Sequence, residues 1–569
     1  MRVATLALVL VFAALAAAGW WALDRPVPVG LSFDEPFPSV SFAPFRRKGL
    51  FERDQSPLTK IYPTAAEIEA DLKSLAGVAR GVRTYTAREG MEAVPEIAGK
   101  YGLEVTHSAW LGVKLDTNEM EIRALIEAAN AHPDTIRRVI VGNEVLLRKD
   151  LTPEQLIGYI RRVKAEVKQP VSYADVWAFW LKYPELAREV DFITIHILPY
   201  WEDEPVGVAD AALHIVKTYR MIQQAFPGKP ILIGEAGWPT RGRDRGPAAA
   251  NMVNGALFVR TLAKVAKENG FDYNVVEAFD QAWKAAMEGT VGANWGVVDG
   301  DRRVKYRMSG PVEANPGWPV QAAAACLLGA AGALWYLRRG SWTVARAAAL
   351  AALAQLLATL AVCQEVNAWR LGYDWIGDSW ALLRIGLSAL LTVSLLAAAA
   401  RALRGEGGRG EGGQDAAGRW LERLVPLYGM AAVASTTLLL VDGRYRDIPD
   451  MEFLVPCVGV GAYGLLRMGV LGMTWGKAFA VGRLAAGSRP GGYSPANALA
   501  IGLWLSAAAA PLSEAIALAQ GDDFLTMHPT WAERWPLLAN ILVANPEMLV
   551  WSAMLLAMSL PFLAEGRRG

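Results

Sequence analysis

Between residues 38 and 300 the chain repeats one polarity pattern: a short apolar run, a polar break, then a stretch with apolar positions at helical spacing. The runs predict strands at Val40–Phe45, Gly81–Thr86, Leu103–Trp110, Val139–Glu144, Pro170–Ala174, Phe192–Ile197, Ile231–Glu235 and Asn274–Phe279. Helical periodicity falls between them, at Thr64–Leu75, Asn118–Ala131, Thr152–Val167, Ala209–Ala225 and Ala248–Glu268. Alternation of this kind favours parallel strands, because a parallel pair needs a crossover connection. Eight strand signals in about 260 residues match the size of a (β/α)8 TIM barrel.

Beyond residue 317 the pattern changes to apolar stretches rich in Ala, Leu, Gly and Trp, long enough to cross a bilayer as helices. About seven spans are predicted, near 319–337, 343–363, 381–400, 424–441, 453–473, 497–519 and 537–563. One more apolar run, Val3–Leu23, precedes the barrel and reads as a signal peptide or an uncleaved anchor, with Trp20-Trp21 suited to an interface. The expected organisation is a targeting segment over 1–29, an exported domain over 30–316 and an α-helical membrane domain over 317–569.

Loop charges suggest an orientation. Arg338-Arg339, the Arg-rich segment 401–423, Lys477 with Arg483 and Arg489, and Arg567-Arg568 fall on one side. Asp374 and Asp378, Asp442 with Asp447 and Asp450, and Asp522-Asp523 fall on the other. By the positive-inside rule the first set is cytoplasmic, which places the barrel outside the membrane and both chain ends inside. Gln355, Arg384, Glu514 and Asn540 lie within spans; a transport path is one reading, and a snorkelling Arg384 with Glu514 near the interface is the plainer one. The Gly-rich stretch 405–413 reads as a flexible connector, since no strand precedes it and no Gly-Lys-Ser/Thr follows.

The 569 residues are 53% hydrophobic, too apolar for a wholly soluble protein. A net charge of +1 with no concentrated basic face argues against nucleic acid as a partner. The three cysteines, Cys326, Cys363 and Cys457, all lie in or beside the apolar stretches, leaving the barrel without a disulfide. Its histidines, His107, His132, His196 and His214, lack metal-ligand spacing, so neither a metal nor a cofactor is expected.

The chemistry is concentrated at strand ends. Glu144 closes the fourth strand and Glu235 the seventh, and in such a barrel the carboxyl-terminal strand ends share the face where active sites form. Arg83, Tyr85, Trp110, Asn143, Tyr200, Trp238, Glu277, Asp280 and Trp283 sit at or just beyond strand ends as well. Cleaving a glycosidic bond needs a proton for the leaving oxygen, plus a nucleophile or an activated water, and two carboxyls supply both. In that role Glu144 is expected to hold its proton through a raised pKa, while Glu235 stays ionised. Trp201, Trp238 and Trp283 are expected to stack on sugar, Trp177 and Trp180 are left open, and His196 is read as a hydrogen bonder in the groove. Glu277 is expected to tune Glu235 together with Lys284.

Val141-Gly142-Asn143-Glu144 and Gly234-Glu235-Ala236-Gly237-Trp238-Pro239-Thr240 resemble the two signature segments of family 17 glycoside hydrolases, the β-1,3-glucanases and β-glucanosyltransferases. Ser41-Phe42-Ala43-Pro44-Phe45, Val82-Arg83-Thr84-Tyr85, Glu277–Lys284 and Asn294-Trp295-Gly296 are similar to that family's first, second and eighth strand segments. The resemblance covers about residues 38–308. It implies Glu144 as acid/base, Glu235 as retaining nucleophile and Asn143 as partner of the sugar 2-hydroxyl. Where the family usually has Asn-x-Tyr/His-Pro-Tyr/Phe after strand six, this chain has His196-Ile197-Leu198-Pro199-Tyr200. The membrane tail resembles membrane-attached bacterial relatives associated with periplasmic β-glucan assembly, including proposed β-1,6-glucan synthesis, and that resemblance implies a bacterial inner membrane with the barrel on its periplasmic side.

These readings together lead to the expectation of a membrane-tethered, retaining enzyme acting on β-1,3-linked glucan oligosaccharide or polysaccharide, passing a glucosyl unit from Glu235 to water or to sugar. Its other expected partner is the lipid bilayer, and it could act beside a separate glucan synthase. The rival expectation is a non-catalytic glucan-binding module coupled to a membrane sensor or exporter.

Overall fold

The computed structural model of the chain describes residues 3–45, 61–405, 416–481 and 494–566. The connector beyond Gly405 and the loop cations Arg483, Arg489, Arg567 and Arg568 lie outside the described residues. Two compact units are present. One comprises Pro26–Glu313 together with Leu518–Pro536, and the other Met1–Arg25, Ala314–Ala517 and Leu537–Gly569.

The first unit holds a closed barrel of eight parallel strands in sequence order. They are β1 (Val40–Ser41), β2 (Gly81–Arg83), β3 (Glu104–Ala109), β4 (Ile136–Asn143), β5 (Val171–Val176), β6 (Ile193–His196), β7 (Ile231–Ala236) and β8 (Asp272–Val275). Val40 of β1 pairs with Val275 of β8 and closes the ring. Each of the eight expected strands is there because its apolar residues are buried on both faces, between barrel interior and helical coat. β1, β2 and β8 are shorter than their patterns suggested. Past Val275 only single bonds to the neighbouring strands remain, from Val276 N to the Ala236 carbonyl and from Ala278 N to the Ser41 carbonyl at 3.0 and 2.9 Å, while Glu277 exchanges backbone bonds with Trp295 and Val297 at 3.1 and 2.9 Å.

The coat follows the expected periodicity. In Ala65–Leu75, Ile68, Leu72 and Leu75 lie one turn apart and are all fully buried. Thr64 with Glu67 and Thr152 with Gln155 form reciprocal capping boxes that start their helices, the second with Pro153 in its first turn. The helix expected from Asn118 begins a turn earlier, at Leu115. Asn118 faces inward instead, bridging the backbone N–H and carbonyl of Gly112 at 2.8 and 2.7 Å. The buried Arg260 fastens the segments entering and leaving the barrel by donating to the carbonyls of Val29, Leu31, Arg307 and Gly310 at 2.6–3.0 Å. Val27 and Val312 pair beside it.

In the second unit, described residues form eight helices long and apolar enough to cross a membrane. They are Val3–Asp24, Trp318–Leu337, Val344–Arg370, Trp375–Arg404, Ala416–Val441, Asp450–Leu471, Pro495–Ala519 and Pro546–Leu563. The polar residues flagged within the spans are mostly paired: Arg384 with Glu452, Gln355 with the Ala325 carbonyl at 3.1 Å, and Glu514 with Asn545 at 2.7 Å. Arg384 was expected to snorkel with no evident partner. Glu452 supplies one, from a short turn that sequence spacing could not place beside it.

Candidate active site

The local backbone around Glu144 explains its sequence. Gly142 has φ 87°, where a Cβ would also come within 2.7 Å of the Val145 side chain, so glycine alone fits. Glu144 itself is left-handed at φ 51°, an uncommon conformation for a residue with a side chain, and one that the surrounding fold must hold. It is held by its N–H on the Ala174 carbonyl at 2.8 Å and by its carbonyl accepting from Arg148 N at 2.9 Å. Arg148 also donates to the Asn143 carbonyl. The outcome turns the Glu144 side chain over the barrel mouth.

Arg83, fully buried at the end of β2, organises the centre. Its guanidinium donates to the Gly234 carbonyl at 2.7 Å, to Glu235 Oε1 at 3.2 Å and to Asn143 Oδ1 at 2.5 Å, linking β2, β7 and β4. Tyr85 adds its hydroxyl to Glu235 Oε1 at 2.9 Å, with Ser41 Oγ equally distant on its other side. Asn274 fixes Ser41 in turn, at 2.7 Å. Burial and the Glu235 charge push the Tyr85 hydroxyl well above its ordinary pKa, so it remains a donor at all ordinary pH values.

His196 stands between the two glutamates. Its Nδ1 lies 2.8 Å from Glu144 Oε1, and its Nε2 lies 3.6 Å from Glu235 Oε1 and 3.4 Å from the Arg83 guanidinium. Arginine can only donate, so Nε2 is the accepting nitrogen and Nδ1–H donates to Glu144. Burial pushes the Glu144 carboxyl up, but His196, followed by Arg148 and Arg83, outweighs it, and the net shift is downward. This corrects the expected raised pKa. That expectation rests on the role of the acid alone, and a histidine on the same carboxylate reverses its sign.

Glu144, His196 and Glu235 bring their donor atoms within 4.8 Å of one another. The three would suit a divalent cation by donor type. Arg83, already within reach of Glu235 and His196, places a fixed positive charge where such a cation would sit.

The wider set of expected residues divides. Glu277 is buried and paired with Lys284 at 2.9 and 3.0 Å, and burial raises its carboxyl to about 7 against the pull of that lysine. Asp280 is engaged by Lys305 at 2.7 Å and Gly296 N at 3.0 Å, so its carboxylate supports the β8 loop. Trp238 and Tyr200, expected at the groove, are core instead. Trp238 is 1% exposed with its Nε1 on the Ala249 carbonyl, and Tyr200 is fully buried with its hydroxyl on the Arg243 carbonyl. Both fill the space behind the β6 and β7 loops, a fate that large aromatic area invites wherever a loop must be anchored. Trp177 and Trp180 are core too, donating to Glu202 and to the Thr194 carbonyl. Trp201 and Trp283 are half-buried and keep surface for a ligand. So does Trp110, 40% exposed with Arg148 4.3 Å over its ring.

Two carboxyls near the centre escaped the sequence reading. Asp175, at the end of β5, is pushed up to about 7 by burial and by the Glu144 charge. Glu288 is raised by burial and by both Glu144 and Glu235. A strand-end Asp is a visible signal for the first; Glu288 lies just before the non-helical Gly289, away from any strand end, and has none. A cavity of about 600 Å³ also opens at the amino-terminal strand ends, lined by Arg80, Glu104, Arg137 and Asp272. It lies at the opposite end of the barrel from the glutamates, the end that carries stability and not chemistry.

Comparison with known proteins finds similarity over the barrel. The model of the BtgE/BtgC glycoside hydrolase domain matches residues 50–296. A glucan 1,3-beta-glucosidase of Arthroderma benhamiae is 27% identical over 261 residues, covering 42% of this chain and 83% of that one. A glucan 1,3-beta-glucosidase of Schizosaccharomyces pombe is 28% identical over 261 residues, covering 42% of this chain and 79% of that one. Among solved structures, the glycoside hydrolase family 17 beta-1,3-glucanosyltransferase from Rhizomucor miehei is 27% identical, with a TM-score of 0.40 over 47% of this chain and 95% of that one.

Proposed function

We propose that this chain, a family 17 β-1,3-glucanase-like glycoside hydrolase in its barrel, is a retaining enzyme of β-1,3-linked glucan that works through a glucosyl ester on Glu235. The observation that carries this reading is the spacing of the carboxyls. One oxygen of Glu144 and one of Glu235 lie within 4.8 Å of each other, an approach in keeping with the roughly 5–5.5 Å between the carboxyls of retaining enzymes and closer than the roughly 6.5–9.5 Å that admits a water for inversion.

The roles follow from the surroundings. Glu235 receives hydrogen bonds from Arg83 and Tyr85, which orient one oxygen and leave the other for the anomeric carbon. Glu144, the more exposed of the two at 24% of its side chain, protonates the departing oxygen and then takes the proton of the incoming one. The neighbourhood that lowers its pKa favours the second, basic half of the cycle. Asn143, locked by Arg83, is positioned to bind the sugar 2-hydroxyl, while Trp201, Trp283 and Trp110 offer stacking faces.

The membrane-tethered reading belongs to the same proposal. Eight apolar helices support it, as do the alternating arginine and aspartate loops, with the barrel on the periplasmic side. The loop holding Asp522-Asp523, assigned outward by its charge, belongs to the barrel's own compact unit, which agrees with that side. The test is product analysis of the full chain in detergent or nanodiscs on linear β-1,3-gluco-oligosaccharides, with anomeric configuration followed by NMR and Glu235→Gln as control. First-formed β-anomers, or products longer than the substrate, that vanish in the variant support the proposal. First-formed α-anomers refute it.

A further inference from the structure

One piece of the barrel unit comes from far down the chain. Leu518–Pro536 follows an apolar helix yet belongs with the barrel, and it bonds to the loops after β4 and β6. A short helix, Asp522–Met527, begins there with Gly521 at its N-cap, a position with no side chain to cap it. Asp203 of the β6 loop fills that role: its Oδ2 lies 3.5 Å from Phe524 N, at the third helical position, and a Cβ on Gly521 would overlap the Asp203 carboxylate. The missing side chain and the carboxylate that replaces it are complementary.

Other contacts reinforce this one. Phe524 is 2% exposed, His528 Nε2 lies 3.2 Å from Glu204, and Asp522 lies 3.3 Å from Lys149 in the β4 loop. The segment is also tied to itself. Arg534 donates to the carbonyls of His528 and Pro529 at 2.5 and 2.9 Å, and Thr530 with Glu533 forms a capping box at 2.9 and 3.4 Å. Next to the attachment, Glu202 accepts from Trp177, just past β5, at 3.1 Å. The loops after β4, β5 and β6 therefore form one braced rim with the segment on it.

That rim is the Glu144 side of the mouth. In the reading proposed above, on which this inference rests, the departing and the arriving oxygen both bind at Glu144, so the saccharide carried on that oxygen extends over the β4–β6 rim. We infer that Leu518–Pro536 forms the acceptor-side wall of the cleft and sets whether the glucosyl unit passes to a sugar or to water. A wall that holds an acceptor excludes water from the intermediate in the same act. Glu235, Arg83 and Tyr85, which act on the donor, are tied instead to one another and to Ser41, Asn143, His196 and Gly234.

The experiment uses the full chain with an aryl β-1,3-gluco-oligosaccharide as donor and laminari-oligosaccharides as acceptors. Aryl release reports donor cleavage, and the ratio of lengthened to hydrolysed product reports partition. Phe524→Ala removes the buried anchor, and Gly521→Val pushes Asp203 away while leaving Phe524 in place. Both variants are expected to cleave donor at the wild-type rate, with partition toward sugar changed about tenfold and acceptor KM raised. Unchanged partition in both overturns the inference. So does a loss of cleavage and transfer in equal proportion, which is the mark of a brace for the fold alone. A wild-type chain that turns over no β-1,3-glucan at all instead refutes the underlying glycosidase reading.

Discussion

Replacing His196 isolates the electrostatic control of the acid/base. In the wild type, Nδ1–H donates to Glu144 Oε1 at 2.8 Å from a ring that is 1% exposed, so water competes poorly for the bond. A hydrogen bond to a charged group in such a place contributes about 1.5–3 kcal/mol. Losing the bond should therefore raise the Glu144 pKa, since burial then acts on the carboxyl with less opposition. The direction follows from the bond favouring the ionised form. Formation of the glucosyl ester needs Glu144 protonated, so the alkaline limb of kcat/KM against pH should move upward in His196→Phe, and a bond of that strength makes the move readily measurable. His196→Asn can place an amide N–H near the Nδ1 position and should return the limb toward wild type. Initial rates on β-1,3-gluco-oligosaccharides across pH 4–9 measure both. A limb that stays in place or moves down in His196→Phe would falsify the assignment of His196 as the group that depresses Glu144.

Other outcomes follow from the same geometry. Arg83→Lys retains the charge but cannot reach Gly234, Glu235 and Asn143 together; a loss of about a hundredfold or more in kcat/KM is expected, and near-normal kinetics would contradict the bridging role. Gly142→Ala combines a left-handed backbone with an overlap on Val145, so a destabilisation of about 1–3 kcal/mol should appear as a lower melting temperature. Asp175 and Glu277, both raised to about 7, bind protons in the folded state that the unfolded chain has released. Barrel stability should therefore fall as pH rises from about 4 to 7, and Asp175→Asn or Glu277→Gln should flatten that slope in denaturation experiments.

The strand and helix order was legible because each element repeats a simple rule: buried parallel strands are continuously apolar, and coat helices carry a stripe at 3.6-residue spacing. Two glutamates at the ends of β4 and β7 were legible too, since strand number alone puts them on one face. Element ends were less so. Asn118 has the composition of a helix start but is spent on bridging Gly112, and β8 gives up its last residues to the 295–298 segment.

What only the tertiary structure decided is how side chains compete for the same space and charge. Trp201 and Trp238 look alike in sequence, yet one stays partly exposed and the other is buried anchoring a loop, because burial depends on what packs behind a residue. The identity of His196 is written in the chain, but its position between two carboxylates arises from the register of β4, β6 and β7. The docking of Leu518–Pro536 on loops more than three hundred residues earlier has no local signature at all. Periodicity reports which way a residue faces, whereas only the folded chain determines what it meets there.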